Sequence, residues 1–248
     1  MKLWNGGRRL EIPVKYKHNS QGGSYSGLDV LDTGQEQTRT RAYFNIKQIY
    51  QPIVIANIDL AKNGGEGQVA DLMEAEMEEA KESLTDKLCT QLFSDGTGNG
   101  GKDITGLKAA IQDGTVSASY GDITLATYTW FKANYTASVG SLQLSDMATM
   151  FDSCASGSDT PSIIVTTKTI RSAYEALLQA QVRFTMTDGK IAADGGITDL
   201  AFRTVPVIAD EYCTSGDMYF INEKYLTLYY MKHPKFPTDK KGFAMSPM

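Results

Sequence analysis

The sequence predicts an α+β fold, and three observations carry the prediction: a period-two hairpin near the N-terminus, one long uninterrupted amphipathic helix behind it, and short apolar strands crowded into the last third. In the hairpin's first strand, Arg9 to Lys17, the residues Leu10, Ile12, Val14 and Tyr16 alternate with polar or turn residues, the period of a half-buried strand. The return strand runs from about Thr38 to Ile55. Between them His18 to Gln37 is rich in glycine and serine, and loops of this length without structure of their own are usually functional or disordered. A hairpin from Arg8 to Ile55 with so polar a tip is expected to lie on another subunit.

The helix follows. Val69, Met73, Met77, Ala80, Leu84, Leu88 and Leu92 recur at steps of three or four, and neither Pro nor Gly interrupts Gln68 to Asp95. At 1.5 Å per residue such a helix is about 40 Å long. It reads as a backbone strut whose Met-rich stripe is ordinary core.

Beyond it, Leu142 to Ser156 reads as a helix with Leu144, Met147, Met150 and Phe151 on one side. Pro161 to Thr167 reads as a buried strand feeding a helix from Lys168 to about Gln181, with Ile170, Tyr174, Leu177 and Leu178 inward. Leu200 to Ile208, Met218 to Asn222 and Tyr225 to Met231 are strands, with Pro206 expected at an edge or bulge because it cannot donate to a ladder. Phe184 to Gly196 is a Gly and Asp rich loop expected to reach a neighbour.

Composition narrows the function. With 42% hydrophobic residues the chain fills a core, and no apolar run approaches the ~20 residues of a membrane span. The start lacks a signal peptide's apolar segment, so a soluble, intracellular protein without membrane contact is expected. Cys89, Cys154 and Cys213 form no Cys-x-x-Cys pair and read as buried free thiols, and with only His18 and His233 no metal site or cofactor is expected. Charge is unevenly spread: residues 1–65 hold nine basic and five acidic residues, whereas 66–88 hold eight acidic and two basic. A basic arm beside an acidic helix suits contact between one subunit's arm and the next subunit's helix, and a solvated acidic face explains the helix equally well.

Two motifs are decoys. Gly96, Gly101 and Lys102 match the spacing of a phosphate-binding loop, but Asp103 stands where the magnesium-holding hydroxyl belongs, and the loop follows a helix instead of a strand. A flexible surface loop is the better reading. Asp32-Thr33-Gly34 matches the catalytic triplet of aspartic proteases, which pair two carboxylates, yet no second triplet exists and no apolar strand stands behind it.

Several strings together resemble one family: Gly27 to Thr33 in the loop, Glu66-Gly67-Gln68 entering the helix and Leu92 to Gly96 leaving it, Tyr120-Gly121-Asp122-Ile123 followed by Tyr128-Thr129-Trp130-Phe131, then Arg203 to Asp210 and Met218 to Asn222. The chain resembles tailed-bacteriophage major capsid proteins of the HK97-like fold from about Gly7 to Tyr230. The resemblance implies a short N-terminal segment and extended loop over 1–65, a peripheral domain over 66–160 with its spine helix at about 66–94, an axial domain over 161–225, and a C-terminal strand and tail over 226–248. It also implies a structural protein without catalytic activity, assembled in the host bacterial cytoplasm. Hexamers and pentamers of the chain would form the icosahedral shell of a virion, enclosing double-stranded DNA without sequence specificity, with portal and scaffolding proteins as partners. Tyr25, Leu28, Val30 and Leu31 would be buried between subunits, and Arg39 and Arg41 would meet Glu74, Glu78 or Glu82 of the next subunit's helix. Alternatives are an encapsulin-like compartment and, in a different class, an aspartic hydrolase using Asp32.

Related proteins carry a longer stretch ahead of the loop, whereas here the first strand begins near residue 9, so altered assembly or a processed chain is expected. Crosslinking members of the family use a lysine in the extended loop. His18 to Gln37 has none, Lys15 and Lys17 lying on the strand. Assembled particles are therefore predicted to dissolve in sodium dodecyl sulfate to a single monomer band, and a ladder of covalent multimers would refute this.

Overall fold

Chain order in the computed structural model is β1 (Lys2–Trp4), β2 (Leu10–Lys15), β3 (Arg39–Phe44), α1 (Asn57–Lys62), α2 (Glu66–Leu92), the single turns α3 (Gly98–Gly101) and α4 (Leu107–Ala110), β4 (Ser119–Tyr120), β5 (Ile123–Thr124), a 3-10 turn (Thr129–Phe131), α5 (Leu144–Cys154), β6 (Ile163–Thr166), α6 (Lys168–Gln179), β7 (Ala201–Phe202), β8 (Val205–Ala209), β9 (Met218–Ile221) and β10 (Tyr229–Met231). The structure describes all residues except 5, 32–33, 63–65, 180–199 and 232–248, and the side chains of all the rest except 60–62, 66–71 and 179. The loop expected at Phe184 to Gly196 and the triplet acid Asp32 lie outside the described residues.

β2 and β3 pair antiparallel from Leu10 opposite Phe44 to Lys15 opposite Arg39. Burial alternates along β2 as the period predicted, with Leu10, Ile12 and Val14 half-buried and the residues between them exposed. The main core is a four-stranded sheet in the order β7-β8-β6-β9, with β6 parallel to β8 and antiparallel to β9. Both faces of β6 are covered, which is why Ile163-Ile164-Val165 is continuously apolar. Ile164, Val205 and Val207 face Met147 and Phe151 of α5 and Tyr174 of α6. Ile163 and Val165 lie on the other face with Tyr219 and Ile221, against Phe93 at the end of α2, Leu107 of α4 and Cys213. Burial pushes the Cys213 thiol up to about 11, so it stays protonated and inert at neutral pH.

Three expectations are corrected here. Leu200 to Ile208 is not one strand: β7 and β8 are joined by a two-residue turn in which Arg203 (φ 47) and Thr204 (φ 73) both adopt left-handed backbone. That geometry suits the twist of a tight hairpin but disfavours a β-branched residue. It is held by the Arg203 guanidinium, which lies over the rings of Phe151 (5.3 Å) and Phe202 (5.6 Å) and pairs with Asp152. Pro206 is not on an edge, since β8 has neighbours on both sides. It escapes a lost ladder bond because Val207, not Pro206, donates to Leu200 O (2.8 Å), and the parallel ladder to β6 begins at Val207. Finally, only Cys213 is a buried thiol; Cys89 and Cys154 are half-buried, and all three are free.

The loop after α2 is ordered, contrary to the flexible surface reading. Gln91 donates from Nε2 to Asp103 Oδ1 (3.1 Å) and accepts at Oε1 from the Ile104 N–H (3.2 Å), while Ser94 Oγ donates to Ile104 O (3.1 Å). The Asp103 carboxylate lies against Gly98 and the Asp103 N–H donates to Gly98 O (3.4 Å), so the loop closes on its own acid, leaving no cradle for phosphate. Gly106 then passes so close to the end of α2 that an added Cβ would fall inside the van der Waals envelope of the Gln91 and Leu92 carbonyl oxygens. Neither neighbour is a side chain that can rotate away. Gly106→Ala is therefore predicted to cost about 3 kcal/mol or more, at or beyond the top of the usual overpacking range, read as a fall in the denaturant midpoint.

Candidate assembly surfaces

The root of the hairpin is tied to its own chain. The Tyr43 N–H donates to Gly121 O (2.9 Å), and Arg9 pairs with Asp122 (2.8 Å). Phe44 meets Tyr120 edge-on at 5.1 Å, and Tyr16 stacks on Trp130 at 4.8 Å. Gly121, at φ +59, has to be glycine: a Cβ would stand 2.9 Å from Phe44 and 3.0 Å from Ala42. The limb is thus less detached than its sequence suggested, because the aromatic run from Tyr120 to Phe131 supplies a platform for its base. The density of aromatic residues there was the available signal, and it was read only as a family string.

Past the strands, polar bonds hold the two arms together. Tyr16 Oη donates to Gln37 O (2.5 Å), Ser20 Oγ donates to Glu36 Oε1 (2.8 Å), and the Ser20 N–H donates to Glu36 Oε2 (3.2 Å). Lys17 lies 3.3 Å from the same carboxylate. The Ser20 hydroxyl and amide, followed by the lysine, hold the Glu36 carboxyl down at about 2 instead of 4.5.

Beyond this neck the tip carries exposed apolar side chains, while the Ser26 N–H donates to Asp29 Oδ2 (2.9 Å) within it. Leu28 and Val30 are wholly exposed, at 101% and 99%, and Tyr25 and Leu31 are mostly so. A second uncovered surface corrects the core reading of the helical stripe: Met73, Met77 and Leu84 of α2 are exposed, at 46%, 54% and 38%. The reason is where the body sits. The side-chain contacts that tie α2 to the described chain come at Asp86, which accepts from Tyr212 Oη (2.5 Å), Lys87, which donates to Gln51, and then Gln91 and Phe93.

The charged candidates are dispersed within one chain. Glu74, Glu78 and Glu82 are exposed on α2, and Arg39 is exposed on β3. Arg41 already pairs with Glu11 across the hairpin at 3.0 Å. The sequence reading missed a cleft of about 840 Å³ beside the hairpin, whose walls include Trp4, Arg8, Tyr43, Tyr128 and Trp130. Distant chain segments form it, so no local pattern announces it. Among the described residues, no helix is long and apolar enough to cross a membrane and no cluster of His, Cys, Asp or Glu is arranged to hold a metal ion.

Against known proteins, residues 27–246 match the family model described as SU10 major capsid protein. The chain belongs to that family. It is a phage major capsid protein, a structural component of the virion. Among solved structures it is similar to a chain of the cyanophage A-1(L) capsid asymmetric unit, with a TM-score of 0.69 at 16% identity, covering 90% of this chain and 68% of that one. That likeness supports the α+β capsid fold. No curated protein matches.

The neck thus joins the two arms below an exposed apolar tip. Because Glu36 is depressed on folding, its contribution to neck order is complete above about 4.5 and is lost as pH falls through about 2. Amide exchange at Ser20 is predicted to stay slow down to that limit and to accelerate below it, while Glu36→Gln removes the acid dependence.

Proposed function

We propose that the chain builds an icosahedral shell of the HK97-like kind, in which hexamers and pentamers enclose double-stranded DNA without reading its sequence. The observation that carries this reading is the pair of uncovered apolar surfaces, the tip at Tyr25, Leu28, Val30 and Leu31 and the stripe at Met73, Met77 and Leu84, in a chain of a capsid family. Apolar groups of this extent in a soluble chain mark places for partners, and obligate assemblies bury ~2,000 Å² or more per interface. Other copies of the chain are the partners, with portal and scaffolding proteins beside them and assembly in the host bacterial cytoplasm.

In this reading residues 18–37 are the extended loop, α2 is the spine of a peripheral domain over 66–160, and residues 161–225 are the axial domain, with α5 covering one face of its sheet. The hairpin crosses a neighbour so that Arg39 meets Glu74, Glu78 or Glu82 of the next copy. Arg41 contributes less, since Glu11 already neutralises it. Each exposed pair is worth about 1 kcal/mol or less, but a closed shell repeats it in every subunit. Where the acidic side of α2 faces the lumen it repels phosphate and leaves the genome mobile.

Light scattering and negative-stain microscopy test the reading directly, with particles tens of nanometres across expected and a small solitary molecule counting against it. Replacing Arg39 and Arg41 together by Glu is predicted to lower shell yield or the shell's melting temperature. Arg41→Glu alone should cost the isolated chain no more than about 1 kcal/mol, through its pair with Glu11. Normal yield and melting for the double variant would remove the proposed pairing.

A further inference from the structure

We propose that the cleft beside the hairpin is the receptor for the loop tip of a second copy, so that subunits join head to tail, tip into cleft. This rests on the shell reading and names the surface that the tip occupies. The cleft, at about 840 Å³, falls in the range of roughly 300–1,000 Å³ typical of sites that enclose a ligand, here enough for a few residues of extended chain. Its walls include aromatic rings that are partly uncovered: Tyr128 is 48% exposed and Trp130 38%, with Trp4 and Tyr43 beside them. The tip offers the matching surface in Leu28 and Val30, which touch nothing in their own chain.

Charge favours the same pairing. Three arginines line the cleft, of which Arg9 is paired with Asp122 and Arg41 with Glu11. Arg8 makes no hydrogen bond or ion pair among the described residues, which leaves one positive charge unspent. The tip from Gln21 to Gly34 carries Asp29 and Asp32 by sequence and no lysine or arginine. A tip bearing apolar side chains on an acidic backbone of residues therefore complements an aromatic cleft with a free guanidinium.

A copy does not fill its own cleft. The cleft flanks the hairpin as far as Thr40, which is opposite Val14, whereas the neck bonds at Tyr16 and Ser20 carry the arms outward. At 3.4 Å per residue, the six residues from Val14 to Ser20 reach up to about 20 Å outward when extended, and the tip begins beyond them. Folding back would break the neck. A contact in which each copy offers one surface and receives on another is heterologous, and such contacts close into rings when the rotation per subunit divides a full turn. One tip and one cleft per copy suffice for a hexamer or a pentamer.

The test uses assembled particles of the full chain. Leu28→Cys combined with Arg8→Cys, oxidised after assembly and run on denaturing gels without reductant, should give a ladder of disulfide-linked multimers, whereas each single variant stays monomeric as the unmodified chain does. Arg8→Glu and Asp29→Arg should each lower ring or shell yield several-fold, and the two combined should restore it. Both residues are exposed, so folding is not at issue, and circular dichroism of each variant verifies this. Intact particles without the ladder, or a double charge swap no better than the single ones, overturn the tip-in-cleft pairing and leave the shell reading standing. Absence of rings and shells from the unmodified chain overturns both.

Discussion

The last turn of α2 is where the molecule's parts are joined, and its contact with Gly106 sets the geometry of the rest. Only glycine lets the returning chain run directly against the Gln91 and Leu92 carbonyls, and that approach brings α4 under the sheet. Phe93 then packs on Tyr219, and the Gln91 and Ser94 side chains bind the loop back on itself. A helix of 27 residues, about 40 Å long, is tied at its C-terminal end, while Met73, Met77 and Leu84 further back along it are exposed. Through that joint the helix meets the four-stranded sheet, and the bond from Tyr212 to Asp86 braces it from the side.

Much of this was legible in the sequence, for reasons that differ by element. The period of two in Leu10-Glu11-Ile12-Pro13-Val14 and the helical spacing of Met147 and Phe151 are local signals, and the structure reproduces both. Helix α2 was also correctly placed, but periodicity states only that a stripe is apolar. It does not say what covers it, and Met73 and Met77 proved uncovered because the sheet lies at the other end of the helix. The break at Arg203-Thr204 was invisible for a different reason. A hairpin turn is announced by Gly or Asn, and here the backbone cost is met by a cation lying over two rings that only the fold brings together. The candidate surfaces divide similarly: exposure of Tyr25, Leu28, Val30 and Leu31 follows from a long polar loop, whereas the cleft requires Trp4, residues 7–11, 40–43 and 122–130 to converge.

In the shell proposed above, the hairpin combines two demands that usually conflict. A limb that gains its final stability from a neighbour has to remain soluble until the neighbour arrives, and it has to be ordered enough to dock without a large entropic penalty. Its root is anchored by the Tyr120 to Phe131 platform, and its neck by Glu36 with Ser20 and Lys17. These bonds tie residues 16–20 to 36–37 within one copy, so in that proposal the tip alone is left to settle on a neighbour. Ordering costs about 0.5–1.5 kcal/mol for each immobilised flexible side chain, and confining that cost to a few residues is the general benefit of preorganisation.

The bonding of the neck also bears on how strong each joint needs to be. A joint made by a few apolar side chains and one exposed ion pair is weak alone, since burial yields about 25 cal/mol per Å² and an exposed pair about 1 kcal/mol or less. Weakness is useful during assembly, because a misplaced subunit can leave. Once a ring closes, loss of a subunit requires two joints to open together, so the effective concentration of each partner rises and the closed ring persists without any stronger contact. A chain with its apolar groups on a short tip, its acids on the spine and a single unpaired arginine at the cleft is suited to that balance. In the shell proposed above, enlarging the apolar tip would strengthen each joint and slow the correction of errors, so an exposed apolar surface confined to a few residues such as Leu28 and Val30 is as much a condition of ordered growth as the rigidity of the helix behind them.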